Sequence, residues 1–147
     1  MINPIESTIS SDDFANWLDG VSYSTCTIVI DTCHAAAFIP DLSKENRIIL
    51  AGATGLSLIA DNVEQTAHRL PFSKILYKTL SSGVSYGEAW MTADQYIYEA
   101  TGPLGFPVYR NNNPQIDDNG DGKGHGTILP NTLPLDGDGG LALKTYP

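Results

Sequence analysis

The sequence has 147 residues, 41% of them apolar, and carries 17 acidic side chains against 8 basic ones for a net charge of −9. That size predicts one domain, able to bury about 68–70% of its unfolded surface and to fold without disulfides or a structural metal. The acidic balance excludes nucleic acid and anionic membrane surfaces as partners, since both need clustered Lys and Arg. No run reaches about 18 consecutive apolar residues, so no membrane span is expected. The first residues, Met1 to Ser7, lack the basic and apolar regions of a secretory leader, which makes a cytoplasmic location the default expectation.

In chain order, Ser11 to Gly20 reads as a helix. Phe14, Trp17, Leu18 and Val21 fall at i, i+3, i+4 and i+7 and share one face. Ser10 or Ser11 can cap its start, Asp12 and Asp13 suit the positive end of its dipole, and Gly20 can stop it. Thr27 to Asp31 is a β-branched run, continuous rather than alternating, as in a parallel strand covered on both faces. After room for one helical turn at His34 to Phe38, Arg47 to Ala53 gives a second such run.

Two helices follow. Phe72, Ile75, Leu76, Thr79 and Leu80 make one stripe, with Pro71 at its start and Gly83 beyond its end. Ala89, Trp90, Ala93, Ile97 and Ala100 make the other, opened by Ser85 and closed by Gly102-Pro103. Helix, strand, strand, helix, helix is an α/β order. The periodic part spans residues 1–101, and residues 102–147 form a Gly/Pro/Asn/Asp-rich tail, whose Asp117 to Lys123 loop is expected at the surface with high mobility. Two buried strands are too few for a stable parallel sheet and leave Ile28 to Ile30 at an open edge. Missing N-terminal strands, or another chain, are expected to complete it.

Cys33 lies just past the first strand, in Asp31-Thr32-Cys33-His34-Ala35. Ligands of open α/β sheets bind outside the carboxyl ends of strands, so a thiol here is placed to act as a nucleophile. The plain alternative is a small buried side chain with no chemistry. Cys26 starts the same strand, about 23 Å away along a straight chain, out of disulfide reach, and reads as core packing.

In the tail, Asp117, Asn119, Asp121 and Gly122 fit positions 1, 3, 5 and 6 of a calcium loop. Position 12 is Ile128 rather than an acid, so a full EF-hand is excluded; Asp136 or Asp138 can supply a distant ligand. An ordinary Asn/Asp/Gly turn explains the same residues.

Several stretches resemble the caspase/legumain-like cysteine peptidases: Asn16-Trp17-Leu18-Asp19, Ile28 to Ala35, Arg47 to Gly55, Phe72-Ser73 to Gly83, Glu88-Ala89, and Asn113 to Gly122. They cover roughly residues 10–125 in the family's order, and it is the order that is specific. The resemblance implies a partial three-layer α/β/α fold with a mainly parallel sheet, and a peptidase that acts on peptide or protein substrates through Cys33 and requires no cofactor. It also implies a general-base His, usually in a His-Gly pair, on the strand before Cys33. No His precedes Cys33 here, the family's Gly after the Cys is replaced by Ala36, and half of the oxyanion device is lost with the missing Gly. The chain alone is therefore expected to be inactive, as the C-terminal portion of a peptidase or as a catalytically inactive binding module. His34, His68 and His125 read more readily as solvated or structural than as substitutes. Specificity in the family depends partly on the segment after the second strand, here Ala53 to Ser57. That segment has no charged side chain before Asp61, so the substrate residue stays open.

Overall fold

A computed structural model describes residues 9–32, 34–52, 72–101, 113–127, 131–135 and 137–147. Helix α1 spans Ser11–Asp19 and opens with a capping box. Ser10 Oγ accepts the Asp13 N–H at 3.1 Å, while the Asp13 carboxylate accepts the Ser10 N–H at 3.4 Å, so two otherwise orphaned backbone donors are satisfied. Its predicted stripe divides. Phe14 and Leu18 pack inward, whereas Trp17 and Val21 are each 59% exposed.

Strand β1 (Cys26–Ile30) pairs in parallel with β2 (Arg47–Ala51), from Cys26 opposite Arg47 to Ile30 opposite Ala51. Strand β3 (Gln115–Asp117) pairs antiparallel with β2, Ile49 facing Asp117 and Ala51 facing Gln115. The order is β1-β2-β3, and the sheet is mixed rather than mainly parallel. Every residue of β2 is buried, which is why its sequence reads as one apolar run without alternation. In β1 only Ile28 is fully buried, and among the described residues this strand has a single neighbour. The outer side of β3 is closed by the chain itself: Ile116 and His125 exchange backbone hydrogen bonds of 2.9 and 3.0 Å.

Alternation along the strands sends side chains to two cores. Ile48, Leu50 and Ile116 pack with α3 (Phe72–Leu80) and α4 (Tyr86–Thr101); Ile28, Ile49 and Ala51 pack with α1, α2 (Ile39–Leu42) and the 3-10 turn Ala35–Phe38. Helices thus cover both faces of the sheet, the α/β arrangement the element order predicts. Fully buried Ile48, Ile49 and Leu50 contribute about 1.5–3 kcal/mol each. No helix among the described residues is long and apolar enough to cross a membrane.

The tail departs from expectation. It supplies β3, and its last turn, Ala142–Lys144, packs on the start of α4, where the Tyr86 N–H donates to the Thr145 carbonyl at 3.0 Å. Gly87 makes this approach possible, since a Cβ there would lie 2.9 Å from the Leu143 nitrogen. Asp117, Asp118 and Asp138 are buried, and only Asn119 to Asp121 of the acidic loop are exposed. A surface tail would leave these carboxylates hydrated; here backbone N–H groups take the place of water.

Candidate active site

At the carboxyl end of the sheet the Gly52 N–H donates to the Ile30 carbonyl at 2.8 Å, carrying the β1–β2 pairing one step past the strands. Asp31 follows immediately. Its Oδ2 accepts the Ser73 N–H at 2.8 Å, placing a negative charge on the first turn of α3, where the helix dipole favours it. Gly52 leaves the room: a Cβ at this position would stand 2.9 Å from Asp31 Oδ1 and 3.1 Å from the Phe72 Cβ. Sequence reading missed this tie, whose one signal is an acid directly after a β-branched run.

Cys33 itself lies outside the described residues, as do His68, Asp61 and the segment Ala53 to Ser57. Its chain neighbours Thr32 and His34 are both exposed. His34 adopts φ 57, ψ 26, the left-handed region that is uncommon for residues other than glycine. His34 precedes the 3-10 turn Ala35–Phe38, whose first residue, Ala35, is completely buried. Cys26, at the opposite end of β1, is partly buried against the core, in line with a packing role.

His125 is not a base for this rim. It sits beyond β3, three strand spacings or about 14 Å across the sheet from β1, and a base must come within about 3 Å of its proton or act through one water. Its Nδ1 is instead hydrogen-bonded to Asp138 Oδ2, and the Asp138 side chain is completely buried.

The acidic loop forms a clasp around that pair. The Asp118 N–H donates to Asp138 Oδ1 at 3.2 Å, and the Asp118 carboxylate accepts the N–H groups of Gly139 and Ala142, both at 2.7 Å. Both Asp138 oxygens therefore have protein partners; Asp136 lies outside the described residues. The three residues of the sequence motif lie together: Asp117 Oδ1 accepts the Gly120 N–H at 3.1 Å, Asn119 Oδ1 the Asp121 N–H at 2.8 Å, and Asp121 Oδ1 the Lys123 N–H at 2.9 Å. Among the described residues no group of three or more His, Cys, Asp or Glu side chains is placed to hold a metal ion.

Burial pushes the Asp138 carboxyl above its ordinary value, against the lowering effect of His125 and the Asp118 N–H, and neighbouring Asp117 adds to the rise. A raised folded value means that its contribution to stability is complete below 3.8 and is lost as pH rises through the folded value. Asp138→Asn keeps an oxygen for the Asp118 N–H and removes the charge. Its melting temperature is expected to equal or exceed that of the wild type at about pH 7, and the two should converge toward pH 4. A variant melting more than about 3 °C lower at neutral pH would mean that the His125 pairing outweighs burial.

Comparison of the chain with protein-family models, curated proteins and solved structures finds no match.

Proposed function

We propose that this chain is the C-terminal part of a caspase/legumain-like cysteine endopeptidase in which Cys33 is the nucleophile. The general-base His comes from a segment or chain that pairs with the free side of β1. The observation that carries the reading is that β1, the strand leading to Cys33, has one neighbour among the described residues, and that Trp17 of α1 and Val21 just beyond it are exposed. A further strand there would pair the backbone groups of β1 that have no partner strand among the described residues. The resemblance in sequence order and the helices on both faces of the sheet are consistent with a partial three-layer caspase-like domain.

In this mechanism the imported His takes the Cys33 proton, and the thiolate attacks the substrate carbonyl carbon. The resulting oxyanion accepts from the backbone N–H of Cys33, in a site completed by the imported segment. Collapse expels the amine, which takes the proton from the imidazolium; water then attacks the thioester and restores the thiol.

Alkylation of the folded chain tests the assignment. Iodoacetamide is expected to label Cys33 about tenfold faster than Cys26, because the latter packs against the core. Peptide turnover by the chain alone should be negligible, and should appear when a His-bearing strand is supplied and vanish with Cys33→Ala. Equal labelling of the two thiols, or turnover that survives Cys33→Ala, refutes the reading and leaves the inactive module.

A further inference from the structure

Asp117 is 1% exposed, and its Oδ2 has no hydrogen-bond partner among the described residues. A buried carboxylate oxygen without a donor is costly and calls for a ligand to explain it. The other oxygen of the same carboxylate accepts the Gly120 N–H, so the group faces the Asp117–Gly122 loop rather than the sheet. Gly120 and Gly122 have φ 79 and φ 77, and the Gly122 N–H donates to Ser43 Oγ at 2.9 Å, fastening the loop to the turn between α2 and β2. A side chain on Gly120 would press on the Lys44–Glu45 backbone at 3.2 Å. The loop is thereby held in one conformation, with its amide nitrogens already committed.

We propose that this loop binds a calcium ion, with the unpartnered Asp117 Oδ2 as its buried ligand and the side-chain oxygens of Asn119 and Asp121 as exposed ones. Calcium accepts mixed shells of six to eight carboxylate, amide, peptide and water oxygens, so two acids suffice where a softer metal would need three or more of His, Cys, Asp and Glu. An oxygen that accepts one N–H keeps a second lone pair, so the bonds to Asp121 and Lys123 do not block coordination. Asp118 and Asp138 stay outside the shell, occupied by the C-terminal clasp. Two carboxylates and an open side place the affinity in the weak range of calcium modules, with dissociation constants of about 0.1–1 mM.

The test uses the full chain after dialysis against chelator. Calcium chloride at about ten times the dissociation constant is expected to raise the melting temperature by about 3–6 °C, where equal magnesium or added sodium chloride does much less. Terbium should bind with sensitised emission and be displaced by calcium. Asp121→Ala alters an exposed side chain and is expected to fold while weakening binding at least tenfold; Asp117→Asn should abolish it. No calcium response up to about 10 mM, or a response unchanged in Asp121→Ala, overturns the proposal even if Asp117→Asn fails to fold. The outcome is independent of Cys33 labelling, so this site and the peptidase reading stand or fall separately.

Discussion

Asp118→Ala is expected to lower stability by about 3 kcal/mol, a fall in melting temperature of about 6–12 °C for a chain of this size. The Asp118 carboxylate accepts the N–H groups of Gly139 and Ala142 at 2.7 Å from a site that is 8% exposed. Truncation leaves two amides without an acceptor where water enters poorly, each at about 1–3 kcal/mol. The damage should also be local before it is global. The segment that Asp118 holds includes the Ala142–Lys144 turn, and limited proteolysis of the variant should cut after residue 131 under conditions that leave the wild type whole. Asp118→Asn, with one remaining acceptor oxygen, should fall between the two. A variant that melts within about 1 °C of the wild type would show that the clasp contributes little.

Arg47→Ala should be of similar size. This guanidinium opens the central strand at 2% exposure; its Nε donates to Tyr23 Oη, one terminal nitrogen to the Leu42 carbonyl at 3.0 Å, and the other to Asp19 Oδ1. Burial disfavours its charge, but the Tyr23 and Asp19 contacts prevail and hold its pKa above the ordinary value. Truncation strands the Leu42 carbonyl, empties a packed volume at the sheet end, and releases the end of α1. Together these amount to about 2–4 kcal/mol. Arg47→Lys should recover only part, because an ammonium cannot fork to three acceptors. The hydrogen bond from Lys44, and then that from Arg47, lower the Asp19 carboxyl below its ordinary value. A lowered folded value gives a contribution present above 3.8 and lost as pH falls through the folded value, so the wild type should surrender this tie in acid, and the variant, which keeps only the Lys44–Asp19 pair, should lose less. Thermal melts from about pH 7 to pH 3 check both statements, and parallel curves for the two proteins would contradict them.

Helices α1, α3 and α4 were legible because each carries a 3.6-residue stripe, and α1 and α4 also carry a side chain able to satisfy their first amides. Ser85 and Glu88 do for α4 what Ser10 and Asp13 do for α1, with the Ser85 N–H donating to Glu88 Oε2 at 2.9 Å. β2 was legible because it is buried on both faces. Strand β3 was not: Gln115, Ile116 and Asp117 are too few to display alternation, and their pairing with Ile49 to Ala51 joins residues more than sixty positions apart. The tail misled for a related reason. Asp, Asn and Gly favour turns and water in isolation, and nothing local shows that Asp118 and Asp138 will be buried accepting amides some twenty residues away. Of the candidate site, the position of Cys33 after a strand follows from sequence, and so does the cluster of Asp117, Asn119 and Asp121. The grip of Asp31 on α3, and the distance of His125 from β1, follow only once the strand order is known.

The flank of β1 that has no neighbour among the described residues also bears on how the polypeptide behaves at high concentration. Strands with unsatisfied lateral amides template one another, and an excess of nine negative charges is the main force keeping copies apart in neutral solution. Near the isoelectric point of about 4.4 that repulsion disappears, so acidification removes the colloidal barrier to aggregation while the Asp19 tie, lost only at lower pH, still holds.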